Sequence, residues 1–320
     1  MKLKKKSLCT IACLALGVLA SCSANASTEF DATKTITRYS RDTTSGTRDG
    51  FFTAIGYSEA KEDDTKIPGF VKADDNGNMI SLVKNDEYGI GYISLASLAD
   101  SGLTGVKFEG VVPSEEAVVD GTYKLSRNFN YITKVKSDVS EVEWKLIKGF
   151  KLFMTSQEGL AIVKSKDGIL ETSIGSATKW SDILEKTENA DVKEICSKND
   201  GTSVEIKFGG STSVEKVAKA LTSAFAEKCP TFKPVHNHTG SGAAYKGTQG
   251  SEKDSVNSMH VGFLSRELND SEQAAEGSSG RICKDGIVCV VNAKNTYKDN
   301  FTKEELKKIY STEGIKWNEI

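Results

Sequence analysis

Hydrophobic and polar positions along the chain follow two different periods, which indicate a mixture of strands and helices. Short apolar runs bounded by glycine or polar residues predict strands. Spacings of three and four residues between apolar positions predict helices, and a capping box formed by Thr302 and Glu305 marks the start of the last one. The predicted strands are 36–39, 89–98, 204–210, 260–268 and 285–292, and the predicted helices are one beginning at 50–57, a pair over 146–168, 211–228 and 302–310. Strands alternating with helices predict layered α/β architecture.

The first residues predict export and attachment to a membrane. A lysine-rich start precedes an apolar run over 7–20, which is too short for a comfortable membrane span. The ending Leu19-Ala20-Ser21-Cys22 resembles a bacterial lipobox, in which the cysteine thiol receives a diacylglycerol. The alternative is an ordinary cleaved signal with a chance cysteine. We therefore expect a lipoprotein signal over 1–21, lipidation at Cys22, a polar tether over 22–32 and an extracytoplasmic, lipid-anchored protein.

Length and charge restrict the remaining possibilities. The chain has 320 residues, which exceeds the usual size of one hydrophobic core and predicts two domains. Its formal net charge is −2 even with the leader lysines included, and it has no basic stripe. We therefore expect no nucleic-acid partner. An acidic protein that binds an anion must do so with local dipoles and individual cations.

The cysteines and histidines give no metal-binding pattern. Beyond the leader and Cys22, the four cysteines allow three disulfide pairings, and buried free thiols are the alternative. The histidines at 236 and 238 form a possible metal pair without a nearby third ligand, so a surface loop is the favoured interpretation. We expect no metal and no cofactor. The four cysteines are Cys196, Cys229, Cys283 and Cys289.

Three clusters of glycine and hydroxyl residues each stand where a helix is expected to begin. They are "TTSGT" at 43–47, "GGSTS" at 209–213 and "TGSGAAYKG" at 239–247. A helix start carries unpaired backbone N–H groups and a partial positive charge, which makes it an anion site. Glycine permits close approach, and hydroxyl groups add donors. Three such clusters, together with Arg41, predict one oxyanion held by all of them.

These segments resemble the phosphate-binding lipoproteins of bacterial ABC importers. "GGSTSVEKVAKAL", "TGSGAAYKG", "HVGFLSREL" and "YSRDTTSGTRDGF" each have a counterpart in that family, and the likeness covers most of the mature chain. The resemblance implies a two-lobed periplasmic-binding-protein-like (type II) fold. It also implies capture of inorganic phosphate in a cleft between the lobes, and delivery to ABC permease subunits in the membrane. A monomer that is not an enzyme is expected.

The order of the segments differs from the usual order of that family. The chain opens with the Arg-Ser-Gly-Thr segment and closes with Trp317-Asn318-Glu319-Ile320, and joining Ile320 to Phe30 restores the usual order. This indicates a circular permutation, with a fused or truncated gene as the alternative. We expect one lobe over 33–121, the other over 122–320, and a single covalent crossing between them near 121–126.

The resemblance also implies which residues bind the anion. Arg41 matches the family's ligand arginine, which presents a planar fork to two oxygens. Thr43 replaces a common acid near that arginine. His260 replaces an aspartate that accepts the phosphate's own proton and repels sulfate, so His260 is expected to alter selectivity. The implied phosphate ligands are Arg41, Ser45, Gly46, Thr47, Thr212, Ser213, Ser241 and His260.

Two other functions compete with phosphate capture. A permuted relative could act as an oxyanion sensor or a surface-interaction lipoprotein. A hydrolase would use Ser45 or Ser241 as nucleophile and His260 as base, but no carboxylate in the sequence is placed to orient that histidine.

Overall fold

The structure is a computed structural model that describes residues 30–320. The predicted signal over 1–21 and the lipidation of Cys22 lie outside these residues. Within them, no helix combines the length and apolarity needed to cross a membrane. The strands are β1 (Thr37–Arg41), β2 (Val71–Ala73), β3 (Gly89–Ser94), β4 (Thr104–Gly105), β5 (Lys107–Phe108), β6 (Ser126–Thr133), β7 (Val204–Gly210), β8 (Phe232–Asn237), β9 (Val261–Leu264), β10 (Ser279–Val291) and β11 (Asn300–Phe301).

Helices follow most of these strands, as the alternating pattern predicts. Side chains cap several of them: Ser140 and Glu143 form a capping box at the fourth helix, and the predicted box of Thr302 and Glu305 is confirmed at the last. The α-helices are α1 (Gly46–Ala54), α2 (Asn76–Lys84), α3 (Glu115–Val119), α4 (Glu141–Met154), α5 (Gln157–Ser165), α6 (Trp180–Leu184), α7 (Ala190–Ser197), α8 (Glu215–Lys228), α9 (Ser241–Thr248) and α10 (Lys303–Ser311).

The long strand β10 connects the two halves of the sheet. The strand order is β2-β1-β3-β10-β6-β9-β7-β8, and β4 also pairs with β10. The first part of β10, from Ser279 to Gly286, runs antiparallel to β6. Its last part, from Ile287 to Val291, runs antiparallel to β3. One continuous strand therefore belongs to both lobes.

The lobe boundary differs from the predicted one. The core that contains Phe51 and Tyr92 also contains Ile287, Tyr310 and Trp317, all buried. Residues 287–320 therefore pack with the N-terminal lobe, and the assignment of all of 122–320 to the second lobe was wrong. The chain crosses between the lobes twice, once before β6 and once within β10, because β10 exchanges its antiparallel partner β6 for β3 at Gly286.

The second lobe has its own core, which is built mainly on one face of β6, β9 and β7. Helices α4 and α8 supply large side chains such as Phe150, Phe153 and Phe225, and Phe208 of β7 packs against Phe150. The predicted apolar face of α8 is buried in this core. It consists of Val217, Ala218, Leu221 and Phe225. This packing fixes the start of α8 against the end of β7.

The two ends of the described chain lie together, as the permutation requires. The N–H of Ile36 donates to the carbonyl of Ile315 (2.9 Å), and the N–H of Trp317 donates to the carbonyl of Lys34 (3.2 Å). Phe30 packs edge-on against Trp317 with ring centroids 5.5 Å apart. The C-terminal end of the predicted tether is therefore packed structure, because the partly buried ring of Phe30 lies against Trp317.

Cys196 and Cys229 form a disulfide that ties the end of α7 to the end of α8. The bond closes a loop with a sequence separation of 33 residues. Cys283 and Cys289 are free and buried, and burial raises the pKa of both thiols.

Replacing both bonded cysteines by alanine is expected to lower the free energy of unfolding by about 3–4 kcal/mol. The reason is the greater entropy of the unfolded chain once the loop is open. Urea unfolding of the oxidised protein and of the double variant measures the difference. Reduced wild type and reduced double variant should then unfold at nearly the same urea concentration, and a gap as large as in the oxidised pair would refute the explanation.

Candidate functional site

Four strand ends meet where the two lobes face each other. The strand β1 ends at Arg41, β7 ends at Gly210, β8 leads into α9, and β9 ends just before Ser265. The loops that follow these strands carry the three predicted glycine and hydroxyl clusters. Gly210 has a positive φ of 92°, and a Cβ there would lie 2.2 Å from the carbonyl oxygen of Phe263. Glycine is therefore required where β7 turns into its loop beside β9.

Arg41 is a buried cation without a partner for any of its guanidinium nitrogens. Its side chain is 1% exposed, and Nε, Nη1 and Nη2 make no hydrogen bond. The nearest carboxylate oxygen in an ion pair is Oδ2 of Asp42, 3.7 Å from Nη2. Burying an unpaired charge is costly, so buried charges normally have a hydrogen-bonded counter-ion. This arrangement fits an anion.

An acidic residue, Asp42, lies beside Arg41 and directly precedes Thr43. Asp42 Oδ1 accepts from the N–H of Thr44 at 2.8 Å, which fixes the carboxylate in the turn, and Oδ2 faces Arg41. Asp42 therefore supplies a carboxylate near the arginine although Thr43 stands where the family commonly has an acid. Burial lowers the pKa of Arg41, and Asp42 acts in the opposite direction.

The start of α1 lies at the same place. Ser45 is the N-cap, and its Oγ accepts from the N–H of Arg48 at 3.3 Å. Gly46 and Thr47 are the first two helical residues, and amides at these positions have no acceptor within a helix. Arg48 holds the preceding turn, because its Nη1 donates to the carbonyl of Arg41 at 2.7 Å. The helix start therefore presents amides next to the arginine.

Gly46 brings the other lobe into contact with this helix start. A Cβ at Gly46 would lie 2.5 Å from Oγ of Ser241 and 2.6 Å from Oγ of Ser265. Both serines are completely buried. No larger residue fits at position 46 in this arrangement of the lobes, and the hydroxyl groups of the second lobe reach α1 directly.

Hydrogen bonds connect the hydroxyl groups within the second lobe and, at one point, across the cleft. Ser265 Oγ lies 2.8 Å from Ser211 Oγ and 3.2 Å from Ser241 Oγ. Thr47 Oγ1 of the first lobe lies 2.8 Å from Ser213 Oγ of the second. We call these groups, together with Arg41 at the end of β1, the hydroxyl–arginine cluster. Its members are Arg41, Ser45, Gly46, Thr47, Ser211, Ser213, Ser241 and Ser265.

Six of the eight predicted ligands lie where the two lobes face each other: Arg41, Ser45, Gly46, Thr47, Ser213 and Ser241. Thr212 is half-buried, and the hydrogen bonds of its loop run through Ser211 and Ser213. The binding roles of these residues and of Thr212 stay predictions. Ser211 and Ser265 lie in the quoted segments but were not predicted as ligands. The signal that could have identified them is a hydroxyl residue directly after the end of a strand.

His260 does not belong to the cluster, and its prediction as a ligand was wrong. It precedes β9, whereas Ser265 follows it, and five residues of strand span roughly 16 Å. Its Nδ1 accepts from the N–H of Lys207 at 2.9 Å, and its Nε2 lies 3.3 Å from Glu143 Oε1. Burial lowers the pKa of His260, and Glu143 opposes that shift. The residue stabilises the opposite end of the strand.

The other two histidines form a hydrogen-bonded chain, in contrast to the expected surface loop. His236 Nδ1 lies 3.1 Å from His238 Nε2, and His238 Nδ1 lies 3.0 Å from the carbonyl oxygen of Ser211. Thr222 completes the chain at His236 Nε2, 2.9 Å away. Burial and the neighbouring His238 lower the pKa of His236 to about 4. Among residues 30–320 no group of three or more metal-ligating side chains occurs.

Comparison with known proteins identifies the family. A family model described as a PBP superfamily domain matches residues 197–319. The phosphate-binding protein PstS 2 of Streptococcus pneumoniae serotype 4 is 30% identical over 325 residues, which cover 99% of this chain and 100% of that protein. The chain belongs to the PstS family of phosphate-binding proteins. The PstS 2 protein of Streptococcus agalactiae serotype V is 28% identical over 96% of this chain and 94% of its own length.

A solved PstS-type structure supports the fold. The crystal structure of a phosphate ABC transporter, phosphate-binding protein from Streptococcus pneumoniae superposes with a TM-score of 0.62 and 26% identity, covering 89% of this chain and 99% of that one. The alignments with the streptococcal PstS 2 proteins run nearly from end to end, so those proteins share the segment order of this chain. The segment order is therefore not peculiar to this chain.

PstS proteins are transporter binding proteins and not enzymes, so the hydrolase alternative is rejected. The geometry agrees with this conclusion. A serine nucleophile needs a base within hydrogen-bond distance. The ring nitrogens of His260 contact Glu143 and the backbone of Lys207, at the opposite end of β9 from Ser241.

Proposed function

We propose that the protein captures inorganic phosphate at the hydroxyl–arginine cluster and delivers it to the permease of an ABC importer. The observation that carries this proposal is Arg41, whose three guanidinium nitrogens are buried without a partner beside the start of α1. Phosphate supplies what the arginine lacks, because its oxygens accept charge-assisted hydrogen bonds from a planar guanidinium. PstS proteins are named for this ligand.

The two lobes contribute different groups to the anion. The first lobe supplies Arg41, the amides of Gly46 and Thr47, and the hydroxyl of Thr47. The second lobe supplies hydroxyl groups at the starts of α8 and α9, including those of Ser213 and Ser241. Thr47 and Ser213 already touch across the cleft at 2.8 Å, so the described arrangement is a closed one. An open form would separate these groups and admit the ligand.

Titration calorimetry of the purified protein with inorganic phosphate tests the function. We expect saturable binding of one phosphate per chain, and competition by arsenate, which has the same charge and shape. A nucleotide or a sugar phosphate should bind far more weakly, because a closed cluster of small side chains leaves no room for a substituent. Absence of phosphate binding to the folded protein would refute the proposal.

The sequence of residues 1–22 supports a proposed location for the protein. We expect Cys22 to carry a diacylglycerol, because a lipobox-like ending follows the apolar run without a gap. Mass spectrometry of the mature protein from membranes should show an acylated N-terminal cysteine, and Cys22→Ala should remove the modification. A mature N-terminus at another residue of wild type would contradict lipidation. The proposed protein is a monomer held at the extracytoplasmic face of the membrane.

A further inference from the structure

Asn76 lies against the hydroxyl–arginine cluster although no sequence signal marked it. It is the first residue of α2, and its side chain is buried. Its Nδ2 donates to Ser213 Oγ at 3.3 Å, and Ser213 Oγ lies 2.8 Å from Thr47 Oγ1. The amide therefore touches the point where the two lobes meet.

The oxygen of this amide has no partner. Among the buried side-chain nitrogen and oxygen atoms of residues 30–320 that lack a hydrogen bond, Asn76 Oδ1 is the sole acceptor, and the others are nitrogens. Three of those nitrogens belong to Arg41. A buried acceptor is normally satisfied, and an exception calls for an explanation. The site thus combines unpartnered donors, which fit anionic oxygens, with one unpartnered acceptor, which fits a proton on the ligand.

We propose that Asn76 Oδ1 accepts the hydrogen bond from a protonated oxygen of the bound anion, and so makes the site select protonated oxyanions over fully ionised ones. This inference rests on the proposed function of the cluster. At neutral pH inorganic phosphate retains at least one proton, whereas sulfate has none. A sulfate oxygen in the same place would face the lone pairs of Oδ1 and leave that acceptor unsatisfied.

The acids near the cluster are already engaged or exposed. Asp42 accepts from Thr44 and faces Arg41. Asp75 is exposed and caps α2 by accepting from the N–H of Asn78 at 2.7 Å, and Asp74 is exposed as well. His260 contacts Glu143. Among the acids and amides named here, Asn76 is therefore the one with a buried acceptor that has no partner.

The test is the ratio of the sulfate Kd to the phosphate Kd, measured by calorimetry at neutral pH. Wild type should bind phosphate more tightly than sulfate. Asn76→Ala should weaken phosphate by about tenfold, the size expected when a buried hydrogen bond is lost, and should leave sulfate unchanged or tighter. The ratio then falls by about tenfold. Asn76→Asp keeps an acceptor at the same place, so the ratio should stay or rise.

The matched control is Asn85→Ala at the other end of α2. Asn85 is exposed and its amide donates to the carbonyl of Ser81, so this variant should leave both Kd values unchanged. Equal weakening of both anions by Asn76→Ala would overturn the inference, because it indicates packing alone. A fall of the ratio in Asn76→Asp would overturn it too, and this variant decides if Asn76→Ala does not fold. Wild type that binds neither anion would instead refute the proposed function.

Discussion

Arg41→Ala is expected to weaken phosphate binding by at least about a hundredfold. The arginine has three unpartnered nitrogens in a buried site, and two charge-assisted hydrogen bonds of about 1.5–3 kcal/mol each account for a loss of that size. The phosphate affinity of Arg41→Lys should fall between those of wild type and Arg41→Ala, because an ammonium keeps the charge but cannot bind two oxygens with a planar fork. Titration calorimetry with inorganic phosphate measures all three proteins.

Thermal unfolding separates this loss from damage to the fold. Without phosphate, Arg41→Ala should be at least as stable as wild type, because a buried guanidinium that makes no hydrogen bond is removed and Asp42 keeps its bond from Thr44. At a phosphate concentration of about 100 times the wild-type Kd, wild type gains about 2.7 kcal/mol and the variant only about 0.4 kcal/mol. The control is Arg281→Ala, since Arg281 is half-exposed and pairs with Glu171. A loss below about twofold in Arg41→Ala would place the anion elsewhere.

The anion cluster could be predicted from the sequence because its determinants are local. A helix start needs only a short run of residues to present its amides, and the glycine and hydroxyl residues that serve it are neighbours in the chain. Ser45, Gly46 and Thr47 therefore appear together, at the end of β1 and the start of α1. The same reasoning located the loops around Ser213 and Ser241.

The lobe boundary could not be predicted because it depends on contacts between distant residues. The strand in this part of the chain was predicted over 285–292. In the structure β10 begins earlier, at Ser279, and Asp285 is buried within it. Arg127, more than 150 positions earlier, supplies the partner that allows a carboxylate to lie there. A sequence pattern contains no sign of that pairing.

The errors at His260 and Asn76 have a common physical origin. His260 was predicted as a ligand from a match along β9. It precedes that strand, and only the residue after the strand, Ser265, reaches the cluster. Asn76 comes from β2 and α2, whose segment "ADDNGN" resembles an ordinary helix cap. Its contact with Ser213 joins segments 137 positions apart. Contacts between lobes of this kind follow from the tertiary arrangement alone.

Asp285→Ala is expected to lower the free energy of unfolding by about 3–5 kcal/mol, which is the cost of leaving a buried charge without its partner. Asp285 Oδ2 accepts from Arg127 Nε at 3.0 Å and Nη2 at 2.8 Å, and Oδ1 accepts from Ser94 Oγ at 2.7 Å. The three residues lie on β10, β6 and β3, where β10 changes its partner between the lobes. Urea unfolding measures the loss.

Replacing the pair together, as Arg127→Met with Asp285→Leu, should cost much less, because no charge is then left buried alone. Glu185→Ala is the control at an exposed pair with Lys193, where a change below about 1 kcal/mol is expected. A loss in Asp285→Ala no larger than in this control, or a double variant as unstable as the single one, would show that the ion pair does not hold the junction of the lobes.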